Sequence, residues 1–241
     1  MTKIVTIHGN PGHHRDLETA AKLLAPEGSS IEAFDLDRSR GYNHDNACTQ
    51  LAPTLENGEQ TTLLTYSWGT YLAVTCLAAR GLKVAQIIAL NPTLHMSEAV
   101  SPAVSTLAKT PLVGSVLLGI LNKSLTEDFC RKSFLPTTPE PDLEEAFQEN
   151  LAKVNVWKRA IEVKNHQYAN PLTSVPEVAG KIHLIFGDDD QSVSKEAQQP
   201  AMETLKKNNN VTTYDIKGAG HSLPWTHHND LQNIFSKIWS A

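Results

Sequence analysis

The run Thr61-Thr-Leu-Leu-Thr-Tyr-Ser67-Trp-Gly69-Thr-Tyr-Leu72 decides the fold. Its first six residues read as a buried strand, and Trp68–Arg80 reads as a helix. A serine at such a junction sits where the chain reverses sharply, and the turn leaves its side chain standing above the sheet. Small residues two before and two after the serine relieve crowding in that turn. Gly69 fits; Thr65 departs, because its branched side chain must find room beside the turn. The plain alternative is that Ser67 only caps the helix beginning at Trp68.

Outward from this junction, β-rich runs alternate with helical patterns. Strands are predicted at Lys3–Ile7, Ser30–Phe34, Val84–Leu90, Lys181–Phe186 and Val211–Ile216, in addition to Thr61–Tyr66. Runs such as Ile87-Ile-Ala-Leu90 are continuously apolar, as strands covered on both faces are. Helices are predicted near Arg15–Leu24, Asn43–Leu55, Trp68–Arg80, Lys195–Lys207 and His227–Trp239. This rhythm implies βαβ units and a doubly wound α/β fold with a mostly parallel sheet of about six strands. From Pro92 to about Val178 no strand pattern occurs, and the composition is helical with proline punctuation. Some eighty residues is too long for a plain connection. The expected organisation is a core of residues 1–91 and 179–241 with a helical insertion over 92–178.

The bulk numbers narrow the function classes. The chain has 241 residues, 40% hydrophobic and 20% charged, with a net charge of −5. These are globular values. They give no electrostatic reason to expect nucleic acid or an anionic membrane as partner. Cys48, Cys76 and Cys130 lie far apart without a C-x-x-C pair, which suggests no disulfide framework and fits a reducing compartment. The N-terminal residues lack the layout of a signal peptide, and the longest apolar stretch, Pro111 to Leu121, is short of the ~20 residues that span a bilayer. A soluble cytoplasmic protein is expected.

Three further loops follow predicted strands. His8-Gly-Asn-Pro-Gly12 comes after the first. Acyl transfer needs backbone N–H groups aimed at a developing oxyanion; Trp68, after the serine, and Asn10 would supply them, since Pro11 has no N–H. The alternative is a Pro-Gly turn without a chemical part. A dinucleotide site is excluded because the third glycine of G-x-G-x-x-G is missing, and no G-K-[ST] occurs for a P-loop. Phe186-Gly-Asp-Asp-Asp190-Gln-Ser-Val193 places carboxylates at a strand's C-terminal end, where ligands of open α/β sheets bind. Two of the three Asp residues are read as an acidic turn capping the helix near Lys195. The preceding strand is followed by Asn91-Pro-Thr-Leu, which offers no carboxylate before Glu98. Gly218-Ala-Gly-His221 follows the last strand. His13, His14, His227 and His228 are read as structural or solvent-facing. No H-E-x-x-H is present, so neither metal nor cofactor is expected. The resulting order is Ser67, Asp190, His221, with an oxyanion loop before them, unlike the chymotrypsin and subtilisin orders.

On these motifs the chain resembles the α/β-hydrolase superfamily over essentially its whole length. His8-Gly9 is similar to the family's H-G oxyanion loop, and Gly187-x-x-Asp190 with Val193 to its acid loop, favouring Asp190 over Asp188 and Asp189. The resemblance implies a helical lid where the insertion falls, and a sheet without the family's first two strands. It implies a serine hydrolase of small carboxylic esters, thioesters or lactones, with Ser67 as nucleophile, His221 as base and Asp190 orienting it. Trp225 and Trp157 would border the substrate, while Arg131, Lys132, Lys158 and Arg159 would either meet an acidic substrate or be solvated helix surface. The same triad would also serve a lyase or a C–C bond hydrolase. A non-catalytic ligand receptor is the remaining alternative.

Overall fold

In a computed structural model, residues 2–10, 12–38, 41–55, 58–96, 136–137, 149 and 156–240 are described, with the backbone alone for Thr19 and residues 156–158. Most of the expected 92–178 insertion lies outside the described residues. Six strands form one parallel sheet in the order β2-β1-β3-β4-β5-β6. They are β1 (Lys3–Ile7), β2 (Ser30–Ala33), β3 (Thr61–Tyr66), β4 (Val84–Leu90), β5 (Ala179–Gly187) and β6 (Val211–Ile216). The longer described helices are α1 (Glu18–Leu24), α2 (His44–Leu51), α3 (Trp68–Arg80), α4 (Val156–Ala169), α5 (Lys195–Lys206) and α6 (His228–Trp239). This is the expected doubly wound α/β architecture.

Period-two alternation explains why central strands read as unbroken apolar runs. Val5, Ile7, Leu63, Ile87, Ala89, Ile182, Leu184 and Phe186 face one core layer, with Leu72, Leu77, Ala201 and Leu205 from α3 and α5. Ile4, Leu64, Ile88, Leu90 and Ile185 face the other, with Leu17, Ala21, Leu231 and Phe235. Every second residue thus serves the opposite layer. The edge strands β2 and β6 are covered less and carry exposed residues.

The topology itself fixes where a site can form. After β1 the chain lays β2 on one side, then returns to place β3 on the other. That reversal opens a crevice beyond the carboxyl ends of β1 and β3, the usual ligand position in such sheets. The β1–β3 register pairs Ile7 with Thr65, so the loop from His8 and the turn at Ser67 leave the sheet at the same level.

The structure corrects the reading of the cysteines. Cys48 on α2 and Cys76 on α3 form a disulfide, with Cα atoms 4.9 Å apart. The pair is 28 residues apart in sequence and meets only because α2 packs along α3. Cysteine usage therefore gives no argument for a reducing compartment. No described helix is long and apolar enough to cross a membrane.

Close packing at the turn leaves one glycine without substitutes. A Cβ at Gly69 would run into the backbone carbonyl oxygens of Ile7 and His8, the latter at 2.6 Å. Neither belongs to a movable side chain. Gly69→Ala is expected to lower the unfolding free energy by about 3 kcal/mol, the upper range for overpacking. Urea melts that superimpose on the wild type would refute this packing.

Candidate active site

The strand-to-helix junction is a strained turn. Ser67 has φ 50° and ψ −127°, outside the regions an L-residue favours. Hydrogen bonds hold it there: its N–H donates to Leu90 O at 3.0 Å, and its carbonyl accepts from Thr70 N and Thr93 N, both at 3.1 Å. Thr65, the departure noted above, is accommodated by polar pairing. Its Oγ1 shares a 2.8 Å hydrogen bond with Thr70 Oγ1, both fully buried. The branched side chain therefore becomes a tie between the end of β3 and the first turn of α3.

The three side chains picked out in the sequence meet above this turn. His221 Nε2 lies 3.1 Å from Ser67 Oγ, and His221 Nδ1 lies 2.6 Å from Asp190 Oδ2. All three residues are buried. A carboxylate beside Nδ1 selects the tautomer that carries its proton there, leaving Nε2 to accept from the Ser67 hydroxyl. With that proton committed, Thr93 donates its own hydroxyl to Ser67 Oγ at 3.1 Å. Asp190 is held through its other oxygen, which accepts from Ser192 N and Val193 N at 2.8 Å. The other two Asp residues do not cap the next helix. Ser194 does so, accepting from Ala197 N, while Asp188 accepts from Gly218 N in the His221 loop.

Asn91 joins the three loops, and its importance was not read in the sequence. It directly follows β4, where the sequence offers no carboxylate, and it adopts φ 40°. Its side-chain amide donates to Gly220 O at 2.9 Å and His221 O at 2.7 Å, and its Oδ1 accepts from Gly187 N at 2.7 Å. One buried amide thus ties the end of β5 to the backbone that carries the imidazole. Next to it, Gly187 has no room for a Cβ against Ala219 O and Gly220 O. The signal available in the sequence was an Asn-Pro pair directly after a strand, a turn former able to take a positive φ.

On the opposite side, the loop after β1 passes directly over the turn. A Cβ at Gly9 would lie 3.1 Å from Ser67 Cβ and 2.9 Å from the Tyr66 ring. Asn10 is clamped: its Oδ1 accepts from Arg38 Nη1 at 2.7 Å and its Nδ2 donates to Arg159 O at 3.1 Å. Arg159 in turn donates through Nη1 to Gly12 O. Its guanidinium therefore braces this loop rather than standing free at the surface. The Arg38 guanidinium lies 4.9 Å from the Trp68 ring centre, so one cation touches both residues read as oxyanion donors. Its Nε and Nη2 are shut off from solvent without an acceptor among the described residues. Burial, then the charge of Arg159, pulls Arg38 down to about 10, which leaves it charged at neutral pH. Nothing in the sequence marks Arg38, one of two arginines past an edge strand, for this role.

Trp225 packs edge-on to Tyr66 with ring centres 5.3 Å apart, and Tyr66 lies 5.2 Å from the His221 ring. It is thus one ring removed from the imidazole. Trp157 falls in the first turn of α4, its side chain outside the described residues, as is that of Lys158. Arg131 and Lys132 lie wholly outside them. His13 and Asp16 form a reciprocal cap at the start of the turn preceding α1.

Crevice, order of loops and convergence of side chains all agree with one family. The model of the alpha/beta hydrolase family matches residues 4–231. The chain belongs to the α/β-hydrolase family. No curated protein sequence matches it. Among solved structures, an esterase from Exiguobacterium antarcticum superimposes with a TM-score of 0.75 at 16% identity, covering 100% of this chain and 91% of the esterase. A bromoperoxidase from Bacillus anthracis gives 0.74 at 18%, covering 100% and 92%. A monoacylglycerol lipase from Paleococcus ferrophilus gives 0.66 at 19%, covering 99% and 94%. At such identities the likeness establishes the α/β-hydrolase fold and leaves the chemistry to the site.

Two predictions follow from the loop contacts. Asn91→Ala removes three buried hydrogen bonds and places alanine at positive φ, so a loss of about 3–5 kcal/mol is expected in urea unfolding. An unchanged midpoint would show that the three loops do not depend on this amide. His8 donates from Nδ1 to Gly9 O at 2.6 Å, and burial, reinforced by the Arg38 charge, pulls it from 6.5 to about 3. The unfolded chain takes up this proton near 6.5 while the folded chain resists until about 3. Stability from this group is therefore full above 6.5 and is lost as pH falls through that window. His8→Asn should flatten the acid side of the stability curve, and two parallel curves would contradict the account.

Proposed function

We propose that this protein is a serine hydrolase that cleaves a small carboxylic ester, thioester or lactone through an acyl-enzyme. The observation that carries the reading is the His221 imidazole, 3.1 Å from the Ser67 hydroxyl on one side and 2.6 Å from the Asp190 carboxylate on the other.

In this reading Ser67 Oγ attacks the carbonyl carbon as its proton passes to His221 Nε2. Asp190 holds the imidazole in orientation and stabilises the cation formed. The Trp68 and Asn10 N–H groups receive the developing oxyanion, a contribution of about 3 kcal/mol per donor. His221 then returns the proton to the departing alcohol or thiol, and water enters by the same steps in reverse to free the acid. The contacts of Asn10 to Arg38 and Arg159 support a preorganised oxyanion loop, which needs no rearrangement when charge develops. The Tyr66–Trp225 pair beside His221 is proposed as one apolar wall of the acyl pocket, with Trp157 as a second.

A lyase or C–C bond hydrolase is the second reading, and Thr93 is what favours it. Its hydroxyl supplies an extra donor beside the nucleophile, of the kind such reactions need to protonate or hold a departing group.

Treatment with a fluorophosphonate is expected to add one label per chain, at Ser67, as read by peptide mass spectrometry. Ser67→Ala should lose about 10⁴-fold or more in turnover of p-nitrophenyl esters. A variant as active as the wild type, or a label on another residue, would overturn the proposal. Failure to label, together with tight binding of an ester, would favour a receptor instead.

A further inference from the structure

Nine residues along α3 from Ser67, roughly 13 Å at the helical rise, lies a group of side chains that the proposed hydrolysis does not use. His44 and Cys48 stand four apart on α2 and so share one face. Cys76 reaches them from α3. The His44 ring nitrogen and the two sulfurs all lie within 4.8 Å of one another. His44 Nε2 is 3.5 Å from Cys48 Sγ. Two ligands on one tetrahedral zinc ion, at about 2.0–2.1 Å for nitrogen and about 2.3 Å for sulfur, stand about 3.6 Å apart.

We propose that the reduced Cys48 and Cys76 thiols form, with His44, a binding site for zinc or a similar thiophilic divalent cation. The disulfide and the metal are then alternative occupants of the same three-residue set. A dithiol reductant opens the disulfide, supplying two electrons and two protons and itself becoming oxidised. The cation then displaces both thiol protons and binds two thiolates and one imidazole nitrogen.

Two observations beyond the ligand distances support the site. His44 Nδ1 lies 2.8 Å from the Tyr42 hydroxyl. A hydrogen bond at that nitrogen fixes the ring so that Nε2 turns toward Cys48, as outer partners of metal-bound imidazoles commonly do. Second, His44 borders a cavity of about 680 Å³ lined also by Tyr42, Tyr71, Glu162 and His166. It gives the cation an approach and room for a fourth, exchangeable ligand. The His166 ring stacks on His44 with centroids 4.5 Å apart, closing one side of that approach. Neither a C-x-x-C pair nor H-E-x-x-H describes this set, because Cys76 comes from a second helix.

The test uses the full chain in a Cys130→Ser background, reduced and freed of reductant without oxygen, then titrated with Co²⁺. One equivalent should bind, giving thiolate-to-cobalt charge-transfer absorption in the near ultraviolet and the intense visible bands of a tetrahedral ion. The oxidised protein should give neither. Cys76→Ser should weaken binding at least 100-fold and His44→Ala about 10- to 100-fold, with circular dichroism unchanged. The proposal is overturned if the reduced protein binds no better than the oxidised one, or if His44→Ala binds as tightly as the parent. It is equally overturned if the disulfide cannot be opened without unfolding the chain. Labelling at Ser67 is scored separately, so this result and the hydrolase reading can fail independently.

Discussion

The architecture turns on one backbone constraint, the reversal of the chain at Ser67. A residue at φ 50° and ψ −127° does not persist unless its neighbours hold it. Here they do so from two directions. The Ser67 N–H and carbonyl are bound by Leu90 at the end of β4 and Thr93 just after it, and Gly69 admits the carbonyls of Ile7 and His8 against the first turn of α3. The strain is offset by the sheet, and the sheet is in turn fixed in its order by the need to bring β1 and β4 to either side of β3.

From that point outward the site is a set of loops locked to one another rather than a set of side chains placed singly. Asn91 fixes the loop carrying His221 to the end of β5, and Asp188 ties the same loop through Gly218. Arg38 and Arg159 fix the loop carrying Asn10. A buried polar network of this kind is costly when half satisfied and rigid when complete. The side chains near Ser67 are mostly in the second condition; among the described residues, Arg38 Nε and Nη2 and Trp68 Nε1 are buried without a hydrogen-bond partner.

What could be read in the sequence was whatever depended on short-range pattern. β1, β3, β4 and β6 coincide with the predicted strands to the residue. β5 begins two residues before its apolar run and ends one after it, since Ala179 pairs with Val84 and Gly187 with Ile216 despite weak strand character; a Cβ at Gly180 would lie 2.8 Å from Ala85 O. The predicted helix over Asn43–Leu55 stops at Leu51 and tightens into a 3₁₀ turn around Pro53, which cannot donate to a helix. Ser67, Asp190 and His221 were legible because each is a residue type that carries chemistry, placed in a turn or loop after a strand. Asn91 and Arg38 were not, because their roles come from partners 129 and 28 residues away. The Cys48–Cys76 pairing was hidden for the same reason, being a product of how two helices lie together.

The distance between Ser67 and His221, 154 positions along the chain, has a consequence for how the protein matures. Contacts of such long range form late in folding, after local helices and neighbouring strands have assembled. Until β6 docks at the sheet edge, no imidazole stands beside the Ser67 hydroxyl. A half-folded molecule would carry the strained turn and the loop after β1 without the contact between His221 and Ser67. Under the proposed hydrolase chemistry, topology alone would withhold reactivity until the last strand is in place.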